Sequence, residues 1–191
     1  MKGGQPVNRD ETIVELMENY GDQILHLAYS YVRDKQIAED LTQEIFIKCY
    51  EKLNTFKGNS LIKTWMYRIA INHCKDYLRS WYHRKVWLTD TFHQILGKNE
   101  STSESYIIRK FENKVLLEAV FSLPIKYREL IFLFYFHECS LKQISEITKT
   151  NINTVKTRLS RGKALIKEYL SERRILYGEE IERDQENRAG W

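Results

Sequence analysis

Apolar residues recur at helical spacing along most of the chain. Between residues 12 and 32 they fall three or four positions apart, and the same period returns in residues 36–53 and 61–80. A polar loop that contains a glycine, residues 56–60, separates the last two stretches. The pattern predicts three amphipathic helices that pack into one small all-α domain over residues 8–84.

The helical period fades after Trp87, and residues 99–105 are uniformly polar. The period resumes at Phe111 and breaks at Leu123-Pro124, because proline cannot continue a helix interior. We therefore predict a flexible linker over residues 85–109 and a second helical domain over residues 110–176. The expected fold class is all-α, with two small helical domains. An acidic tail, residues 177–191, follows the second domain and is compatible with disorder.

Two short segments of the second domain predict a helix-turn-helix. Ser140 followed by Gln143 is a capping-box signature, and Asn151 is a suitable N-cap for the next helix. One face of that next helix is apolar, formed by Ile152, Val155, Leu159 and Ile166. The remaining surface is small, polar and basic, as in DNA-recognition helices, and it comprises Asn153, Lys156, Thr157, Arg158, Ser160, Arg161 and Lys163. An ordinary helical hairpin with a solvated basic face is the alternative interpretation.

The composition excludes several classes of protein. Among 191 residues, 42% are hydrophobic, enough for a buried core, whereas the eight glycines and two prolines disfavour a turn-rich β fold. Neither a membrane span nor a signal peptide is apparent, so we expect a cytoplasmic protein. The three cysteines are far apart and are expected to be buried, reduced thiols. We find no spacing typical of a metal site, a cofactor site or a catalytic centre, and we expect no enzyme activity.

The net charge of +4 is unevenly distributed. Residues 10–51 contain ten acidic and three basic residues, whereas residues 56–86 contain seven basic residues and one acidic residue. Residues 109–176 contain fourteen basic and seven acidic residues. Two separate basic zones suggest that one polyanion is contacted at two places, although solvated helix faces would give the same counts.

Two of the predicted helices carry stripes of opposite charge. The first stripe suits docking on a protein and consists of Asp40, Gln43, Glu44 and Ile47, at positions i, i+3, i+4 and i+7. The second stripe is basic and consists of Arg68, Asn72, Lys75 and Arg79. Asparagine can bond a base edge, and the cations can hold a DNA backbone. Tyr67 is a candidate for stacking on a base, whereas Trp65 is expected to lie mainly in the core.

Segments in both halves of the chain resemble bacterial sigma factors. In the second half, Leu123-Pro124, Arg128-Glu129, residues 140–147 and residues 153–162 resemble region 4. In the first half, residues 38–46 resemble region 2.2, and residues 56–58, 64–72 and 76–79 resemble regions 2.3 and 2.4. The order of these segments, the missing regions 1 and 3 and the chain length resemble the extracytoplasmic-function group. The turn before the recognition helix departs from that pattern, with Thr150 where an apolar residue is common.

This resemblance implies a reversible, non-catalytic subunit of RNA polymerase that directs transcription of a stress or envelope regulon. The first domain would dock on the β′ clamp helices through Asp40, Leu41, Gln43, Glu44 and Ile47, and would capture and help to melt the −10 element. The loop formed by Lys57, Gly58, Asn59 and Ser60 would receive a flipped base. The second domain would sit on the β flap and read the −35 element. The resemblance also implies an anti-sigma factor, commonly membrane-anchored in that group.

A stand-alone helix-turn-helix regulator remains the alternative function. Residues 8–84 would then be an effector or dimerisation domain. Such a regulator needs neither the acidic stripe nor the first basic zone. A pull-down with core RNA polymerase distinguishes the two hypotheses.

Overall fold

The computed structural model of the protein describes residues 9–58, 60–86 and 114–189, and these residues form helices without any strand. The helices are α1 (Arg9–Val32), α2 (Lys35–Lys52), α3 (Ile62–Val86), α4 (Lys114–Ser122), α5 (Ile125–Ile131), α6 (Leu141–Thr148) and α7 (Ile152–Ala189). A 3-10 turn, Leu53–Thr55, follows α2, and a π-helical turn, Phe132–Phe136, follows α5. The predicted all-α class is confirmed.

Helices α1, α2 and α3 form the first bundle, in which each helix contacts the other two. The turn between α1 and α2 is defined by Arg33, in the left-handed region at φ 55°, and by Asp34. The Asp34 carboxylate accepts a hydrogen bond from the Ile37 backbone N–H at 3.0 Å, which caps α2. Apolar residues of all three helices are fully buried in the bundle, including Ile24, Leu27, Ile45 and Met66.

The second half is organised around α7, which contacts α4, α5 and α6. Pro124 stands immediately before α5, as the break at Leu123-Pro124 predicts. Gly162 is buried where α7 packs on α5, and a Cβ atom at this position would be in van der Waals contact with the Ile131 side chain at 3.4 Å. The recognition helix is therefore held by contacts with three helices of the second half.

The two halves also pack against each other, which the sequence does not predict. Helix α1 contacts α5, and α3 contacts α6. Buried apolar side chains from both halves form one continuous core. Most of the predicted linker lies outside the described residues, while residues 85 and 86 belong to the end of α3.

The C-terminal tail differs from the expectation of disorder, because α7 continues to Ala189. Glutamate and arginine, which have high helix propensity, are frequent in this segment. Opposite charges also recur four residues apart, as at Glu179 and Arg183, and such pairs favour a helix. Local propensity therefore accounts for the extension.

Candidate functional site

The acidic stripe lies on the outer face of α2. Asp40, Gln43, Glu44 and Ile47 are all exposed, and the Ile47 side chain is 58% accessible. The Glu44 carboxylate lies 2.6 Å from Nε2 of His73, a contact that links this face to α3. The arrangement presents an apolar residue at the end of an acidic surface, as expected from the spacing.

Leu41 corrects one prediction for this surface. Its side chain is only 2% exposed and packs in the core of the first bundle, so it cannot touch a partner directly. Position 41 lies one residue from Asp40, and consecutive helical residues point about 100° apart. Leu41 therefore packs α2 against the core and holds the helix that bears the acidic stripe in place.

The four residues of the basic stripe of α3 differ in exposure and in their partners. Asn72 and Arg79 are exposed, and Arg79 forms an ion pair with Asp76 at 3.3 Å. Arg68 is half-buried, and its Nε atom has no hydrogen-bond partner among the described residues. Lys75 forms a 2.8 Å ion pair with Glu129 of the second half. Only part of the predicted stripe is therefore available in this arrangement.

A cleft of about 230 Å³ between α2 and α3 brings together groups that suit a nucleic-acid strand. It is lined by Lys48, Lys52, Trp65, Arg68, Ile69, Asn72, His73 and Asp76. Trp65 is half-buried and packs against the Phe56 ring with centroids 5.6 Å apart. Its place in the cleft wall was not predicted, since the sequence favours a core position.

Lys48 and Lys52 were missed by the sequence analysis. They lie four residues apart at the end of α2. Lys48 was counted within the acidic zone of residues 10–51, and Lys52 falls between the two counted zones. Their spacing places them on one helix face, which turns toward α3. A comparison of charge turn by turn along α2 would have found this basic end.

Tyr67 corrects a second prediction, because its ring is fully buried. Its hydroxyl donates a hydrogen bond to Oε1 of Gln23 at 2.6 Å, and its ring packs against His137 at 5.2 Å. Burial raises the pKa of Tyr67 above the usual value for a phenol. With the two halves packed together, Tyr67 therefore joins helices and is not available to stack on a base.

The loop before α3 has the shape of a tight, exposed turn. Gly58 adopts φ 72°, a conformation that a residue with a side chain rarely takes. Lys57 is exposed and Ser60 is half-buried, whereas Asn59 lies outside the described residues. The predicted base-accepting loop thus offers the Lys57 cation beside a left-handed backbone position that glycine adopts readily.

The helix-turn-helix forms as the local sequence predicts. The Ser140 hydroxyl accepts from the Gln143 N–H, and the Gln143 side chain accepts from the Ser140 N–H. Lys149 ends α6 in the left-handed region at φ 51°, and Oδ1 of Asn151 accepts from the Asn153 N–H at 2.9 Å. The turn therefore closes despite its departure at Thr150, whose backbone N–H donates to the Ser145 carbonyl.

The recognition helix has one buried and one accessible face. Val155 and Leu159 are buried, as predicted, but Ile152 is 37% exposed because it begins the helix at the edge of the core. Arg158 is half-buried, and the remaining predicted contacts are exposed: Asn153, Lys156, Thr157, Ser160, Arg161 and Lys163. The Thr157 hydroxyl donates to the Asn153 carbonyl, one turn earlier in the helix, at 2.9 Å.

Residues capable of other chemistry are buried or scattered. Cys49, Cys74 and Cys139 are buried, and burial raises the pKa of Cys49 and Cys74 to about 12 and also raises the pKa of Cys139. Within residues 9–58, 60–86 and 114–189, no cluster of three His, Cys, Asp or Glu side chains could hold a metal ion. In the same part of the chain, no helix is long and apolar enough to cross a membrane.

Comparison with known families gives matches in both halves. The family described as Sigma-70 region 2 matches residues 16–83, and the family described as Sigma-70, region 4 matches residues 114–166. The chain is 30% identical over 168 residues to the ECF RNA polymerase sigma factor SigW of Bacillus subtilis, covering 84% of this chain and 89% of SigW. It is 31% identical over 155 residues to the RNA polymerase sigma factor SigV of the same bacterium, covering 81% and 89%.

Solved structures with the same fold include two complexes. The sigma factor RpoE of Bartonella quintana, solved with the anti-sigma factor NepR, superposes with a TM-score of 0.65 at 23% identity, covering 84% of this chain and 97% of RpoE. CnrH, solved with the cytosolic domain of CnrY, gives 0.64 at 16% identity, covering 85% and 90%. The helical architecture of both halves is therefore shared with these proteins.

Proposed function

Since the chain belongs to the extracytoplasmic-function group of the sigma-70 family of RNA polymerase sigma factors, we propose that three of its surfaces divide promoter recognition between them. The acidic stripe of α2 binds core polymerase, the α2–α3 cleft holds the −10 strand, and the outer face of α7 reads the −35 duplex. The protein acts in the cytoplasm with the polymerase and contributes no catalytic group.

The main support for this proposal is that acidic and basic residues are separated along α2. Its outer face bears Asp40 and Glu44, whereas its C-terminal end turns Lys48 and Lys52 into the cleft beside α3. An acidic face repels phosphate and favours a basic protein surface, which by family resemblance belongs to the β′ clamp helices. A basic cleft favours DNA, so one helix serves two partners. Because both halves match sigma-70 regions, the stand-alone regulator has no support.

The cleft suits a single strand better than a duplex. Strand opening exposes base faces and leaves a flexible phosphate backbone, which aromatic rings and cations bind together. Trp65 supplies an aromatic ring, while Lys48, Lys52 and Arg68 supply the cations. Asn72 stands at the same wall with an exposed amide for a base edge. The Lys57–Ser60 loop, by family resemblance, receives a base flipped from the stack.

The outer face of α7 suits a major groove. Thr157, Ser160 and Arg161 lie at its centre, where small side chains permit close approach and arginine can bond guanine O6 and N7. Asn153, Lys156, Arg158 and Lys163 flank them, within reach of the phosphates that position the helix. The second half also sits on the β flap by family resemblance.

An anti-sigma factor is a further proposed partner. RpoE was solved with the anti-sigma factor NepR, and CnrH with the cytosolic domain of CnrY. The present chain spans the same two-part fold. A partner of this class would hold the protein away from core polymerase until a signal releases it.

Charge reversal on α2 tests the proposed function. The variant Asp40→Lys/Glu44→Lys should bind core polymerase at least about tenfold more weakly, a loss of about 1.4 kcal/mol. Exposed substitutions of this kind usually change stability little, so circular dichroism should be unaltered. The measurement is a quantitative pull-down with core polymerase, together with transcription from a −35/−10 promoter.

Asp22→Lys is the matched control, since Asp22 is an exposed acid on the neighbouring helix α1. The control should bind core polymerase as the wild type does. Equal binding by the double variant and the control would show that the α2 stripe is not the docking surface.

A further inference from the structure

A charged group is buried where the two halves meet. Glu129 of α5 is 4% exposed, and its Oε2 atom accepts a hydrogen bond from the Tyr31 hydroxyl at 2.6 Å. The same oxygen lies 2.8 Å from Nζ of Lys75. Burial, and then the nearby Glu129 charge, raise the pKa of Tyr31 well above its usual value, so the phenol keeps its proton and donates. Both partners of Glu129 belong to the first half.

Three further contacts also join the two halves, in addition to those of Glu129 with Tyr31 and Lys75. Nη1 of Arg128 donates to the Ser30 carbonyl at 2.7 Å. Nζ of Lys63 donates to the His137 carbonyl at 3.0 Å, and the His137 ring packs on Tyr67. Arg128 also donates to the Leu123 carbonyl, so it ties the interface to its own half. The interface between the two halves therefore contains directional hydrogen bonds as well as apolar packing.

Lys75 cannot pair with Glu129 and contact a DNA phosphate at the same time. A buried carboxylate is costly unless a cation or hydrogen-bond donors compensate its charge, and Lys75 supplies that cation. The same side chain belongs to the α3 stripe, three residues from Asn72, whose place in the cleft makes it part of the proposed −10 site. In the closed arrangement Glu129 occupies the position beside Lys75 that a DNA phosphate would take.

The distance between promoter elements makes closure incompatible with use of both DNA surfaces. The centres of the −35 and −10 elements lie about 25 base pairs apart, or about 85 Å of duplex at ~3.4 Å per base pair. In the closed arrangement α7 packs on α6, and α6 packs on α3. Packed helices have axes about 8–10 Å apart, so the axes of α3 and α7 lie within about 20 Å of each other near these contacts, far less than the separation of the two promoter elements.

The length of the connecting chain permits separation. Residues 87–113 join α3 to α4, and at ~3.3 Å per residue a fully extended chain of this length spans about 90 Å. The halves can therefore part far enough to occupy both elements without breaking either helical unit.

We propose that the free protein holds itself closed through the Glu129–Lys75–Tyr31 contact, and that this contact competes with −10 DNA for the α3 surface. The inference rests on the proposed role of α3 in DNA binding. Polymerase and promoter must then separate the halves, and the Glu129 carboxylate acts as an internal substitute for phosphate. A ligand that binds the open state shifts the equilibrium by its differential affinity for that state.

Glu129→Gln in the full-length protein tests the competition. The substitution keeps the size of the side chain but removes the charge that pairs with Lys75. We expect the radius of gyration by small-angle X-ray scattering to increase. We also expect affinity for a fluorescent single-stranded thymidine oligonucleotide to rise roughly five- to tenfold, within the usual range of coupling between two sites.

Matched variants keep the test independent of folding. Glu168→Gln removes an exposed acid from α7 in the same half and should change neither measurement. Tyr31→Phe keeps the buried ring but removes the donor to Glu129, and it should shift both measurements in the same direction as Glu129→Gln by a smaller factor. Unchanged helical circular dichroism shows that each variant is folded.

The outcomes separate this inference from the proposed function. If neither Glu129→Gln nor Tyr31→Phe changes the radius of gyration, the closed contact does not hold the free protein and the inference is wrong. If both open the molecule without raising the oligonucleotide affinity, the competition with DNA is wrong. The single variant Asn72→Ala, with Glu129 and Tyr31 unchanged, shows independently whether the α3 surface binds the oligonucleotide at all. Unchanged oligonucleotide affinity in this variant would contradict the proposed function of that surface.

Discussion

At the scale of single residues, position on a helix decides which polar side chains are available to a partner. Trp65 and Tyr67 are two residues apart, yet Trp65 lines the α2–α3 cleft and Tyr67 is fully buried against His137. Likewise Asp40 is exposed while Leu41 is in the core. A stripe assigned from spacing is therefore reliable for its centre and less so at its borders, where burial depends on neighbouring helices.

The Asn72 amide is expected to act after strand opening. Asn72→Ala should leave duplex promoter binding nearly intact and reduce melting of the −10 region, because the α2–α3 cleft suits a single strand. Permanganate footprinting beside a gel shift on the same promoter measures both effects. Asn54→Ala, an exposed amide in the 3-10 turn, is the control and should have no effect.

A pre-melted promoter provides a further check on Asn72. An artificial bubble supplies the opening that the variant fails to drive, so transcription should recover on that template. A loss of duplex binding in proportion to the loss of melting would show instead that Asn72 contacts duplex DNA or supports the fold.

Two cations on the outer face of α7 should affect DNA binding differently. Arg161→Ala should cost ~1–3 kcal/mol and relax preference at one or two base pairs of the −35 element, because arginine can bond a base edge. Lys163→Ala should weaken binding to all sequences alike and lower the salt slope by roughly one unit, as for a lost phosphate contact. Binding isotherms on permuted sites across a salt series distinguish the two residues. The same loss at every sequence for both variants would contradict base readout by Arg161.

At the scale of elements, the helix-turn-helix depends on caps that its own sequence supplies. Ser140→Ala removes the hydroxyl that accepts from the Gln143 N–H and should lower the free energy of unfolding by ~1 kcal/mol. Denaturant titration measures this change. Ser171→Ala is the control, since the Ser171 hydroxyl bonds the Lys167 carbonyl within α7, and alanine favours a helix interior. A Ser140→Ala variant as stable as this control would show that the capping box contributes little to stability.

At the scale of the whole molecule, one apolar core spans both halves while the chain between them is polar over residues 99–105. Limited proteolysis should therefore cut first between Trp87 and Ile108. The two fragments should then remain together on size-exclusion chromatography, because the α1–α5 and α3–α6 contacts persist without the connection. An initial cut within residues 36–80 would contradict the proposed domain boundary, and immediate separation of the fragments would contradict a stable closed state.

The sequence by itself determined the parts of this protein that depend on neighbours within about four residues. Helical period placed α1, α2, α3 and the recognition helix, and the Ser140 and Asn151 caps appear where their side chains predicted them. Motifs in both halves carried the resemblance to the sigma-70 family. These features are local because helix hydrogen bonds, caps and amphipathic faces are set by short-range spacing.

Only the tertiary structure decided how those parts meet. It buried Tyr67 and Leu41, joined Lys48 and Lys52 to Arg68 and Asn72 across a cleft, and placed Glu129 against Lys75. The residues brought together lie between 16 and 98 positions apart in the sequence, as for Lys52 and Arg68 in the cleft wall and for Tyr31 and Glu129. No periodicity within one helix specifies which face of another helix it will meet. The closed arrangement follows from burying the apolar faces of both halves together, a choice made by packing between helices.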